Sequence, residues 1–153
     1  MNRWYIAPVF ALTLGVVAVA AEPIKLDLAE FKLTPAAKVA DDLVKYENDA
    51  LNFYANGTAS AKLTVPADGE YVIVIDASCQ AALKENAKFT LKVGDMVVKE
   101  KFELTAEEQK EYKFDAKLTK GETTLSIAYI NDVYKEGEYD RNLFVHGVRV
   151  EKK

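Results

Sequence analysis

Val65-Pro66-Ala67-Asp68-Gly69-Glu70-Tyr71-Val72-Ile73-Val74-Ile75 is the stretch whose reading decides the fold. Pro66 to Gly69 carry turn chemistry: proline presets φ, Asp bonds its own backbone, and Gly admits left-handed dihedrals. Tyr71 to Ile75 follows as a short apolar run rich in β-branched side chains, too short for a buried helix. It is apolar at odd and even positions alike, which predicts a central strand covered on both faces.

Outward from this run, period-two alternation dominates. Ile24, Leu26 and Leu28 alternate with Lys25, Asp27 and Ala29 in a first strand, and Ala50 to Ala55 reads as a second. Asn56-Gly57 is a tight-turn signal, with Ala61, Leu63 and Val65 continuing beyond it. Phe89, Leu91 and Val93 alternate with lysine and threonine, Gly94-Asp95 turns the chain, and Val97 to Leu104 returns. Tyr112, Phe114 and Ala116 come next, then a turn at Lys120-Gly121, then Leu125, Ile127 and Tyr129. Phe144, Val148 and Val150 close the domain. Pro35 to Lys45 is Ala-rich and suits a short helical turn or a loop. Thr105-Ala106-Glu107-Glu108 resembles a capping box and predicts a brief helical turn. Some nine short strands with polar turns predict an all-β chain folded as a β-sandwich.

Met1 to Ala21 reads differently. Arg3 is followed by an apolar run from Val9 to Val19, and Ala18-Val19-Ala20 offers small residues for cleavage. The run is shorter than the roughly 20 residues a membrane span needs, so residues 1–21 read as a signal peptide cleaved near Ala20 or Ala21. The expected mature domain, residues 22–153, is secreted or periplasmic and contains no membrane span. Without Arg3 it carries 19 basic and 24 acidic residues, a net charge of −5. An acidic surface disfavours nucleic acid as a partner.

Cys79 is alone, so no intrachain disulfide forms, and a small buried thiol is expected. His146 is the only histidine, which excludes His-rich zinc sites, and no G-x-S-x-G nucleophile motif occurs. A glycosidase needs two carboxylates about 5–10 Å apart across a cleft, which so small a domain rarely builds. The expectation is a non-enzymatic protein.

Asn131 to Asn142 stands out as a loop at one end of the sandwich. Asp132, Asp140, Asn131 and Asn142 supply hard oxygen ligands, and Gly137 lets the backbone turn. That donor set suits Ca2+ better than zinc. The same composition also suits a plain solvated acidic loop. Tyr134 and Tyr139 offer faces on which a sugar ring can rest, or a partial lid on the core.

Ile130-Asn131-Asp132-Val133-Tyr134, followed by Asp140-Arg141-Asn142-Leu143-Phe144-Val145, resembles the closing signature of calcium-dependent xylan-binding carbohydrate-binding modules, families thirty-six and sixty. Leu51-Asn52-Phe53-Tyr54-Ala55-Asn56-Gly57 and Val65-Pro66-Ala67-Asp68-Gly69-Glu70-Tyr71 resemble earlier steps of the same pattern. The Asp-Arg-Asn-Leu portion is the specific part. The resemblance implies a jelly-roll sandwich in which a partly open calcium shell accepts neighbouring sugar hydroxyls. It implies Asp132, Asp140 and Asn142 around the metal. Asn131 and Arg141, from the same signature, join Tyr134 and Tyr139 as residues expected against a xylan-like polysaccharide. The chain departs from the family at His146, where an acidic residue is usual, and a neutral imidazole is a poor calcium ligand. The alternative is a structural or adhesion module, with a purely structural calcium and a protein or cell-envelope partner.

Overall fold

The computed structural model describes residues 21–153, so the expected signal peptide lies almost wholly outside the described residues. Among the described residues, twelve strands form two antiparallel sheets. The first sheet is built from β3 (Val44–Glu47), β4 (Ala50–Phe53), β12 (Tyr139–Lys152), β6 (Gly69–Gln80) and β9 (Lys110–Leu118), in that order. Two short strands, β1 (Ile24–Leu26) and β11 (Val133–Lys135), also pair with β12. The second sheet runs β2 (Lys32–Pro35), β5 (Gly57–Val65), β10 (Gly121–Tyr129), β7 (Lys88–Val93) and β8 (Met96–Glu103). This is the jelly-roll β-sandwich.

The alternation explains the packing. Leu51, Phe53, Ile73, Ile75, Leu143 and Val145 face inward from the first sheet and are fully buried. Leu63, Phe89, Leu91, Leu125 and Ile127 meet them from the second. Phe53 and Tyr129 join the sheets edge to face, their centroids 6.2 Å apart. The decisive run lies in β6, between β12 and β9. Its turn is tied by the Tyr71 hydroxyl, which donates to the Ala67 carbonyl at 2.7 Å. The run's outer side is covered less completely than expected: Val74 is fully buried, Val72 only half-buried, and Asp76 follows. That face is shielded by long side chains, such as Arg149 paired with Glu111 and Glu151, and not by another layer.

The chain turns at Asn56-Gly57 and Lys120-Gly121 as expected, each time passing from one sheet to the other. Two local expectations change. Thr105 to Glu108 forms no helix. Glu107 instead pins this segment to the end of β6, its carbonyl accepting from the Cys79 N–H and its carboxylate from the Ala81 N–H. Asn131 to Asn142 is mostly a β-hairpin of β11 and β12 and not an irregular loop. The Ala-rich stretch behaves as expected, with one 3-10 turn at Asp41–Leu43 leading into β3. Cys79 is free and buried.

Gly57 allows a close crossing. A Cβ there would sit 2.7 Å from Val44 Cγ2 and 3.1 Å from the Thr34 carbonyl oxygen. Gly57→Ala is therefore expected to cost about 1–3 kcal/mol, the range for overpacking, and thermal denaturation against the parent checks it.

Candidate metal and ligand site

The site grows from the period of one strand. Alternate residues of β12 share a face, so Asp140, Asn142 and Phe144 all lie on the outer side of the first sheet, opposite to the core-facing Leu143 and Val145. Tyr134 of β11 pairs with Asp140 and shares that side. Asp132 precedes β11, and its backbone N–H donates to Asn56 Oδ1 at 2.9 Å. The Asn56 side chain thus holds Asp132 at the end of the sandwich.

Asp132 Oδ1, Asp140 Oδ1 and Asn142 Oδ1 are buried, and none has a hydrogen-bond donor. Ionised carboxylate and amide oxygens can only accept, so this end of the sandwich holds three unsatisfied acceptors. Burial pushes the Asp132 carboxyl above its ordinary range, and the Asp140 carboxylate pushes it further. Buried oxygens without donors are the kind of atom a divalent cation takes as ligands. Among the described residues no three His, Cys, Asp or Glu side chains gather as a group that could hold a metal ion, and these three side chains offer oxygen donors only. All-oxygen chemistry fits calcium.

A groove of about 680 Å³ opens beside the carboxylates. Its lining joins Asp132, Asp140 and Tyr134 to Val39, Leu43 and Tyr54. Tyr134 is 64 % exposed, an unusual position for an aromatic ring without a partner. Tyr54 stands edge to face against Phe144, with centroids 5.9 Å apart, and its N–H donates to the Leu43 carbonyl. The lining thus combines apolar and aromatic side chains with two carboxylates and Lys38, and Lys45 Nζ lies 5.6 Å from the Tyr54 ring centroid.

Not every residue expected against the sugar lies in this groove. Arg141 points inward and is 4 % exposed. Its guanidinium donates to the carbonyls of Glu85 at 3.1 Å, Asn131 at 2.6 Å and Ala82. It staples the 81–87 loop to the end of β10 and has no free face for a ligand. The Asn131 side chain is also committed, accepting from the Lys88 N–H and donating to the Asn86 carbonyl. Tyr139 pairs with Lys135 and alternates with Asp140, so it lies on the opposite face of the hairpin from Tyr134. His146 stands four residues beyond Asn142, about 13 Å along the strand. There its Nε2 meets Ser78 Oγ at 2.7 Å, so it does not join the cluster. Leu43 and Tyr54 are groove residues that sequence reasoning missed. Tyr54 lay inside a recognised strand, and only the return of residues 38–43 beside it reveals its role.

A profile of the family described as Ca-dependent carbohydrate-binding module, xylan-binding, matches residues 72–153. No curated protein sequence matches the chain. Among solved structures, a family 35 carbohydrate-binding module from Clostridium thermocellum superposes with a TM-score of 0.60 at 13 % identity, covering 87 % of this chain and all of that one. A CBM35 from Paenibacillus barcinonensis gives 0.57 at 15 % identity, over 87 % of this chain and 100 % of that chain. The CBM36-1 domain of a multidomain xylanase from the hindgut metagenome of Trinervitermes trinervoides gives 0.56 at 13 % identity, over 86 % and 97 %. At these identities the likeness is one of fold.

Proposed function

The chain belongs to the family of calcium-dependent xylan-binding carbohydrate-binding modules, and from that premise we propose that it binds a xylan-like polysaccharide through a calcium ion at the end of its first sheet. The family is one of binding modules and not of catalysts. The observation that carries the calcium reading is that Asp132, Asp140 and Asn142 each keep a buried side-chain oxygen without a hydrogen-bond donor. Calcium takes six to eight oxygens, so three side-chain ligands leave room for backbone carbonyls, water and two neighbouring sugar hydroxyls. Tyr134 and Tyr54 flank the place where the ring would rest.

A glycan array probed with calcium and again with a chelator tests this reading. Xylan-type signals that vanish with the chelator support it. Signals unchanged by the chelator would remove the metal from recognition. No glycan signal, together with a calcium-raised melting temperature, would favour the structural or adhesion module. Tyr134→Ala is expected to weaken polysaccharide binding about three- to tenfold, the worth of one aromatic contact, while calcium binding stays at the parent's value. Affinity electrophoresis in xylan gels, paired with calcium titration, measures both.

The site is assigned to an exported protein, with residues 1–21 as the leader. Among the described residues no helix is long and apolar enough to cross a membrane. N-terminal sequencing of the exported protein is expected to begin near Ala21 or Glu22, and retention of Met1 would overturn the assignment.

A further inference from the structure

We propose that Asn56 is a positioning residue for the cation, fixing the peptide plane from which Asp132 reaches the groove it shares with Asp140. The inference rests on the calcium reading above. The peptide between Asn131 and Asp132 is held at both ends. Its carbonyl accepts from Arg141 Nη1 at 2.6 Å, and its N–H donates to Asn56 Oδ1 at 2.9 Å. A peptide unit is planar, so a partner on the oxygen and another on the N–H together fix its rotation and the direction in which Asp132 leaves the chain. A backbone N–H can only donate, which fixes the Asn56 amide with its oxygen toward Asp132. Asn56 is itself held. Its own carbonyl accepts from the Ala36 N–H at 2.9 Å, and Gly57 after it enters β5 between Pro35 and Tyr129.

The two carboxylates lie on separate elements, Asp140 in β12 and Asp132 ahead of β11. They line one groove, close enough for the charge on Asp140 to be felt at Asp132. Without a metal between them, like charges drive them apart. Arg141 alone would leave the peptide free to turn about its carbonyl contact, and that turn would carry the Asp132 carboxylate away from Asp140. Asn56 opposes the turn. It lies outside the groove lining and carries no charge, so it acts on the cation through the backbone of Asp132. Through Ala36 it also ties Asp132 to the segment that lends Val39 and Leu43 to the groove. Partners of this kind around a metal ligand typically govern affinity by about 10–100-fold.

Calcium titration calorimetry on the parent, Asn56→Ala and Asn56→Asp tests the assignment, with NMR hydrogen exchange of the Asp132 backbone amide alongside. Aspartate keeps an acceptor for that N–H and alanine does not. Asn56→Ala is expected to weaken calcium binding about tenfold or more and to speed exchange of the Asp132 amide. Asn56→Asp is expected to keep that amide protected and to bind calcium at least as tightly as the parent. A residue serving only the fold would lower the melting temperature of its variant and leave the calcium Kd at the parent's value. If Asn56→Ala binds calcium like the parent, or Asn56→Asp binds it more weakly than the parent, the positioning role is wrong while the calcium site stands. Should Asn56→Ala not fold, the parent decides: an Asp132 amide that exchanges as fast as an unbonded surface amide overturns the proposal. If the parent itself takes up no calcium, the calcium reading fails and this inference goes with it.

Discussion

Asp132→Asn is expected to melt higher than the parent in the absence of calcium and to lose the calcium response altogether. Asp132 and Asp140 carry buried oxygens without donors, and burial and mutual repulsion raise the Asp132 carboxyl. A carboxyl whose folded pKa lies above its unfolded value opposes folding at neutral pH, and the penalty disappears as pH falls through the folded pKa. The neutral amide removes that penalty permanently. It also deletes one of the two carboxylates proposed to hold calcium, so calcium binding is expected to drop below detection. In the parent, calcium at a hundredfold excess over its Kd is expected to add about 2.7 kcal/mol to stability. For a domain of this size that raises the melting temperature by roughly 10 °C. Melting curves with calcium and with chelator, on parent and variant, should therefore change order: the parent melts higher with calcium and the variant without it. A variant that melts below the parent in chelator would mean the carboxylates are not frustrated.

Arg141→Ala is expected to be the most destabilising single change near the site, lowering stability by about 3–5 kcal/mol. The buried guanidinium donates to three backbone carbonyls on two segments, and the Arg141 carbonyl accepts from the Tyr129 hydroxyl at 2.8 Å. Truncation leaves the Asn131 carbonyl without that donor and opens a cavity beneath the hairpin that carries Asp140. Arg141→Lys should recover little, because an ammonium cannot reproduce a planar fork reaching three acceptors. Chemical denaturation gives the stability change directly. A sugar-contacting arginine would behave in the opposite way, with parent-like stability and lost polysaccharide binding.

The strands and their faces were legible because alternation reports burial directly. Tyr71 to Ile75 reads as a central strand, and it lies between β12 and β9. Chain-passing turns were not legible. Asn56-Gly57 has the composition of a hairpin turn, yet the Asn56 side chain serves the backbone of Asp132, seventy-six residues away. The capping-box pattern at Thr105 failed for a similar reason: Glu107 satisfies the end of β6 and not a helix N-terminus.

At the site, Asp132, Asp140 and Asn142 stood out as oxygen donors in one short segment, and the structure gives each of them a buried, unpaired oxygen. Arg141 shares that segment but turns inward through its place in the strand, while the Asn131 side chain is taken up by the backbone of Lys88 and Asn86. The alternation Asp140, Asn142, Phe144 already separated them from Arg141 and Leu143, once the segment was read as a strand rather than a loop.

The most direct measurement is a titration of xylo-oligosaccharide into the full protein by calorimetry, once with calcium and once with chelator. Saturable binding with calcium that disappears with chelator, and is absent in Asp140→Ala under both conditions, is the predicted result. Equal binding heats in calcium and chelator, or parent-like binding by Asp140→Ala, would contradict the metal-bridged site.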